Sequence, residues 1–335
     1  MLNKKFIAYI FFLIFIFEFT ARSISYFYGY GFITDNGRFI SPFFTGNDIP
    51  HPILKDSTGI FVGDKEVLIK KNQNELRIIF VGGSTTKNRN NRKGLRFSNE
   101  VKKVLSSKYS ELDIVSLNAG IEGFSSAQSL INISLRIIEF DPDIIVIHHN
   151  ANDRSVGVFG ETITTDYSNK YLTDSYLGYT YRRGIRGFLV RHFKSLRILI
   201  WSSKTIKSFF IKTPYNTTGN KNILKGKNYF KRNLKSILSI CKTHDIIPVF
   251  LTQPHKRLSI EKLHREYNDI IRNLSEENNS HIIDMAKLIS KNKGNFIDQI
   301  HYSSDGIIEI SNIIAPRLID IIEVEKSNIK ALSKK

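Results

Sequence analysis

Ser84 sits in Gly82-Gly83-Ser84-Thr85-Thr86 after an apolar run, and Asp298 and His301 stand three positions apart in Asp298-Gln-Ile-His301. A serine hydroxyl becomes a useful nucleophile when a base takes its proton. An imidazole is such a base when a carboxylate fixes its tautomer and stabilises the imidazolium. Two further segments supply the electrophilic half. Gly123, ending Asn118-Ala-Gly-Ile-Glu-Gly123, can expose its backbone N–H because it has no side chain. Asn152, in Asn150-Ala-Asn152-Asp153, can offer its amide. With the N–H of Ser84 these make three donors for a tetrahedral oxyanion. The set is that of acyl-ester chemistry, with Ser84, Asp298 and His301 as catalytic candidates and Ser84, Gly123 and Asn152 as the oxyanion donors.

Each segment alone has a plainer explanation. Gly-Gly-Ser-Thr-Thr can be a turn with an N-cap or an anion cradle. Asp298 and His301 can be a surface pair, Gly123 a helix entry, and Asn152-Asp153 a cap or Asx turn. No Lys follows Ser84 in phosphate-loop spacing, which excludes the common nucleotide-binding loop. Among the other polar groups, Asn150, His149 and His255 are candidates for contact with substrate. His148 and His149 end an apolar run, but no third ligand with metal spacing accompanies them. No metal or other cofactor is therefore expected.

The elements that would carry these residues alternate. Strands are expected at Leu76–Val81, Asp113–Leu117, Asp143–Ile147, Ile246–Thr252 and His281–Asp284. Helices are expected at Phe97–Lys108, Ser125–Phe140, Tyr229–Thr243, Leu258–Glu276 and Asp305–Ile322, the last capped by Ser304 or Asp305. Short apolar runs between helices indicate a parallel sheet covered on both faces. In such a sheet, functional groups gather at the carboxyl ends of the strands. The candidate residues fall there: Ser84 after the first strand, Gly123 after the second, Asn152 after the third.

Composition adds location and charge. The hydrophobic fraction of 41% describes a globular core. A single cysteine, Cys241, excludes a disulfide framework. Lys4 and Lys5 precede an unbroken apolar run, Phe6 to Phe17, with Glu18 and Arg22 beyond it. This reads as a signal anchor over 6–27, with a cytoplasmic N-terminus at 1–5 and the rest of the chain extracytoplasmic. A cleaved signal peptide is the alternative. Residues 28–74 read as a stem, 75–322 as the main domain with a basic insertion at about 155–226, and 323–335 as a tail. The net charge of +18 belongs to one stretch. Ser175 to His244 carries 16 Lys and Arg and no Asp or Glu, while the other 33 basic residues nearly balance the 31 acidic ones. Basic residues interleaved with aromatic ones there suggest an anionic membrane surface or an acidic polymer. A solvated lid is the plainer alternative, and no nucleic-acid motif is present.

The four blocks resemble those of the SGNH hydrolases, the GDSL lipase/esterase superfamily. The correspondence falls on Ser84, Gly123, Asn152 and His301, with Asp298 in the D-x-x-H position. Gly83 stands where that family's name has Asp, and Asn150 replaces the usual Gly of the third block, a side chain that would narrow the pocket or shift Asn152. The resemblance implies a flavodoxin-like three-layer α/β/α sandwich with a central parallel sheet. It also implies metal-free hydrolysis or transfer of an acyl group from an ester, and with the extracytoplasmic placement the expected substrate is an O-acylated cell-envelope glycan or lipid. An O-acyltransferase, or an accessory to one, uses the same residues with a sugar hydroxyl in place of water. A membrane-tethered binding module with a silent site is a third reading.

Overall fold

A computed structural model describes residues 3–27, 69–88, 95–159, 221–256, 261–290 and 292–329, with 165, 167, 193, 195, 196, 331 and 332. Most of the expected stem and of the basic insertion lies outside the described residues. The chain divides into two units, one of 1–39 with 168–216 and one of 40–167 with 217–335.

The second unit carries the sheet. Its strands are β1 (Glu75–Gly82), β2 (Asp113–Gly120), β3 (Ile144–His148), β4 (Ile247–Leu251) and β5 (His281–Ile283). All pair in parallel, in the order β2-β1-β3-β4-β5. The helices are α1 (Lys4–Phe27), α2 (Ser84–Lys87), α3 (Phe97–Lys108), α4 (Ser126–Leu135), α5 (Ala151–Phe159), α6 (Lys221–Thr243), α7 (Glu261–Glu277), α8 (Met285–Leu288) and α9 (Ser304–Val324). This is the expected α/β sandwich.

The apolar runs explain the layers. Successive side chains of a strand point to opposite faces. Ile78 and Phe80 of β1 therefore enter the core shared with α3 and α9, through Phe97, Leu105, Ile310 and Ile314. Ile79 and Val81 enter the other core, with Ile133, Phe230, Ile237 and Tyr267. Burying each such side chain contributes ~1.5–3 kcal/mol. Register brings the strand ends level: Gly82 pairs with Gly120 on one side and His148 on the other, and His148 pairs with Leu251. The segments that leave these ends thus start from one line along the sheet edge.

Several elements differ from expectation: α5 (Ala151–Phe159) was not foreseen, and β2 runs on past Leu117 to Gly120. The helix expected over Ser125–Phe140 is α4 followed by a 3-10 turn at Ile137–Phe140, because Arg136 leaves helical geometry at φ −138. Helix α6 starts eight residues before Tyr229, at Lys221. The cap of α9 is Ser303, whose Oγ accepts the Gly306 N–H at 3.1 Å.

The N-terminal anchor is corrected. No helix among the described residues is long and apolar enough to cross a membrane. Helix α1 has 24 residues, and its apolar run is interrupted by Glu18 and Arg22. Glu18 pairs with Arg22 at 2.9 Å and accepts the N–H and hydroxyl of Ser195 at 3.0 and 2.6 Å. The unbroken apolar run before Glu18 covers ~18 Å of a hydrocarbon core of ~30 Å.

A buried ion pair lies inside the sheet. Arg77 of β1 is 2% exposed. Its guanidinium meets Glu75 at 2.5 Å and donates to the Phe140 carbonyl at 2.5 Å. Its backbone N–H donates to Asp143 at 2.7 Å, and Asp143 also meets Lys71 at 2.5 Å. Truncating one member of a buried ion pair strands its partner. Arg77→Ala is expected to cost ~3–5 kcal/mol in urea unfolding, whereas the double change Glu75→Met with Arg77→Met should cost far less. Equal losses in both variants would contradict this role.

Candidate functional site

The site begins at the end of β1. The chain turns at Gly82-Gly83 into the single turn of α2, which starts at Ser84. Ser84 Oγ lies 2.8 Å from His301 Nε2. His301 Nδ1 lies 2.7 Å from Asp298 Oδ2, and the N–H groups of Ile300 and His301 donate to Asp298 Oδ1 at 2.9 and 2.8 Å. Partial burial disfavours the Asp298 carboxylate and pushes its pKa up. The bonds from the His301 ring and from the two N–H groups outweigh it, and the carboxyl falls to about 2. An ionised Asp298 keeps the proton of neutral His301 on Nδ1, which leaves Nε2 to accept from Ser84.

Of the expected oxyanion donors, Ser84 and Asn152 line one small cavity. Gly123 adopts φ 78, the left-handed region that glycine enters without strain. Asn152 opens α5 and donates from Nδ2 to the Phe124 carbonyl at 2.7 Å. A Cβ on Gly83 would stand 2.5 Å from that Nδ2 and 3.1 Å from the Phe124 oxygen. The Asp of the family's name therefore could not occupy position 83 with Asn152 where it is. The amide fills the space that glycine leaves.

Asn150 does something the sequence did not suggest. Its side chain donates to the His264 carbonyl at 2.9 Å and to Asn268 Oδ1 at 2.8 Å, while the residue lines the small cavity at Ser84. His149 is likewise buried, with Nε2 2.8 Å from Ser129 Oγ. His255 is half-buried and packs its ring against His264, with centroids 4.8 Å apart. Of the three substrate-contact candidates, Asn150 and His149 line the small cavity at Ser84 and are held there by these bonds.

Residues missed by sequence reasoning hold the parts together. Gln253, after β4, accepts the Ala151 N–H at 2.8 Å and donates to Thr85 Oγ1 at 3.0 Å, joining the Ser84 and Asn152 segments. His148 joins the Ser84 and His301 segments. Its Nδ1 lies 3.1 Å from Thr86 Oγ1 and its Nε2 3.4 Å from the Tyr302 hydroxyl. Asp153 takes the N–H of Ser126 at 3.1 and 3.0 Å and its hydroxyl at 2.5 Å, tying α5 to α4. A polar residue at the buried end of an apolar run is the signal these share.

Among the described residues no three His, Cys, Asp or Glu gather to hold a metal ion. Cavities of about 670 and 500 Å³ lie along α6 and near Pro248 and His281, and neither includes Ser84 or Asn152. A much smaller one, about 10 Å³, is lined by both of these.

Residues 80–306, about two thirds of the chain, match the GDSL-like lipase/acylhydrolase family. The chain belongs to that family, whose enzymes act on ester bonds. No curated protein matches it. Among solved structures, an acetylxylan esterase from Geobacillus stearothermophilus is 15% identical, covers 74% of this chain and 96% of its own, and gives a TM-score of 0.46. A putative GDSL-like lipase from Parabacteroides merdae is 14% identical, with 74% and 97% covered and a TM-score of 0.47. A putative acylhydrolase from Bacteroides fragilis is 15% identical, with 76% and 90% covered and a TM-score of 0.43.

Burial alone lowers His148 to about 3, and it leads the causes that bring His264 to about 3. Their unfolded counterparts take up protons near 6.5. The unfolded chain therefore binds more protons between pH 6.5 and 3, so stability falls as pH drops through that window. Melting temperatures across it should show this loss, and His148→Gln should flatten the slope relative to wild type. Identical slopes in both proteins would contradict a buried neutral His148.

Proposed function

We propose that the protein is a serine esterase with Ser84 as nucleophile, His301 as general base and acid, and Asp298 as the residue that orients His301. The observation that carries this reading is the unbroken chain from Ser84 Oγ to His301 Nε2 at 2.8 Å and from His301 Nδ1 to Asp298 at 2.7 Å.

In the first half-reaction, Ser84 Oγ bonds to the ester carbonyl carbon as its proton passes to His301 Nε2. The carbonyl oxygen becomes an oxyanion, held by the N–H of Ser84, the N–H of Gly123 and the amide of Asn152. Collapse expels the alcohol, which takes the proton from His301. In the second half-reaction, water loses a proton to His301 and attacks the acyl-serine. Collapse then releases the acid and returns the proton to Ser84. His301 and Asp298 are open on the outer side, with side chains 23% and 53% exposed. That side admits a bulky leaving alcohol, and we place an O-acylated glycan there. Helix α6 belongs to the basic stretch, but Lys227 pairs with Glu266 and Lys231 with Glu277, at 2.5 and 2.8 Å. Those two cations are thus neutralised within the fold, which weakens the case for an acidic polymer along that helix.

Hydrolysis of p-nitrophenyl acetate tests the assignment. Ser84→Ala should abolish turnover with an unchanged circular dichroism spectrum. Asp298→Asn should lower kcat by ~10²–10⁴ through the wrong tautomer of His301. Gly83→Ala, which pushes on the Asn152 amide, should lower kcat by ~10²–10³ with little change in KM. Full activity in Ser84→Ala would refute the mechanism.

A further inference from the structure

We infer that Asp153 is the positioning residue of the oxyanion donors, an inference that rests on the esterase reading above. Two of those donors sit on different segments: Gly123 on the link from β2 to α4, and Asn152 in the first turn of α5. For both to reach one oxygen, their separation must hold to within about 0.5 Å.

Asn152 makes one attachment between the segments, from its Nδ2 to the Phe124 carbonyl at 2.7 Å. A single attachment leaves the link free to pivot. Asp153, the next residue of α5, makes a second. Its carboxylate accepts the Ser126 N–H at 3.1 Å on Oδ1 and 3.0 Å on Oδ2, and the Ser126 hydroxyl at 2.5 Å. Phe124 stands one position after Gly123 and Ser126 three after it. Consecutive residues of α5 thus hold the Gly123 segment at two points, which fixes its direction as well as its distance.

These bonds are not needed to start α4. That helix carries its own capping box, in which the Ser125 N–H donates to Gln128 Oε1 at 2.8 Å. What Asp153 adds is the tie to α5. The tie is also protected. Asp153 and Ser126 are each 0% exposed, so the charge-assisted bonds between them act without competition from water. The carboxylate lies at the N-terminal end of α4, where the aligned peptide dipoles favour negative charge. Asn233 of α6 donates to the Ser126 hydroxyl at 2.9 Å. Three residues further along α4 on the same face, Ser129 bonds His149 at 2.8 Å, so the segment leading into Asn152 meets α4 again. Ala127 of α4 and Val156 of α5 pack with buried Tyr167, whose hydroxyl is pushed to higher pKa by burial and then by the charge of Asp153.

The test measures p-nitrophenyl acetate hydrolysis by the full chain, with kcat expressed per Ser84 titrated to completion by a P-methyl fluorophosphonate. Asp153→Ala should lower kcat by ~10²–10³, as removal of an oxyanion donor does, with little change in KM. Asp153→Asn keeps an oxygen for Ser126 and should recover most of that loss. Asp153→Leu fills the same space without an acceptor and should recover none, which separates the tie from packing. Where Asp153→Ala does not fold, the Asn and Leu variants carry the comparison. Because Asp153 acts through the donors, adding Asp153→Ala to Asn152→Ala should lower kcat little further than Asn152→Ala alone. Equal kcat in the Asn and Leu variants, or losses that multiply in the double variant, would overturn the inference and leave the esterase intact. A folded wild type with neither labelling of Ser84 nor turnover would overturn both.

Discussion

Ser84 and His301 are separated by 217 positions in the chain yet meet at 2.8 Å, and everything else about the site follows from how that meeting is enforced. The parallel sheet does the coarse work. It sets Gly82, Gly120 and His148 side by side at one edge, so that three segments leave from neighbouring points. Strand ends alone fix position to no better than the freedom of the loops they lead into. The fine work falls to polar side chains buried beneath those loops, and each is a bond between two segments, not within one. His148 lies between Thr86 and Tyr302, and Gln253 between Thr85 and Ala151. Such bonds add little net stability when made, but breaking one strands a buried group. They therefore act as constraints on geometry more than as sources of energy.

The same logic accounts for the two glycines at the site that the family resemblance could not explain alone. Gly123 is needed for its backbone, since φ 78 strains any side chain. Gly83 is needed for its emptiness, because the amide of Asn152 stands where a Cβ would be. A third close approach is at Gly306, where a Cβ would collide with the Asn295 backbone. This holds the start of α9 against the segment that leads into Asp298 and His301.

Much of this was legible in the sequence. Apolar runs placed four of the strands to within a residue at each end, as expected of buried strands, whereas β2 runs three residues past its expected end to Gly120. The triad candidates were legible because their residue types are rare in combination at strand ends. What could not be read was direction. Asn150 in place of glycine pointed to the pocket, and the residue lines the small cavity at Ser84, but its side chain also bonds to His264 and Asn268, partners 114 and 118 positions away. His149 likewise lines the Ser84 cavity while bonding inward to Ser129, a partner the sequence did not reveal. The helix start at Lys221 was hidden because its first turns carry lysines and a glycine, and tertiary packing of Ile223 and Phe230 decides the matter. The apolar N-terminal run was legible as a helix, but the pairing of Glu18 with Arg22 and Ser195 was not.

The central claim is that His301 makes Ser84 a nucleophile. Covalent capture reads this most directly. The full chain would be incubated with a P-methyl fluorophosphonate, digested, and the adduct located by mass spectrometry, beside a His301→Ala variant of verified fold. The account predicts one adduct, on the peptide containing Ser84, formed in the wild type and lost in the variant. A folded wild type that forms no adduct, or equal labelling of Ser84 without His301, would contradict it.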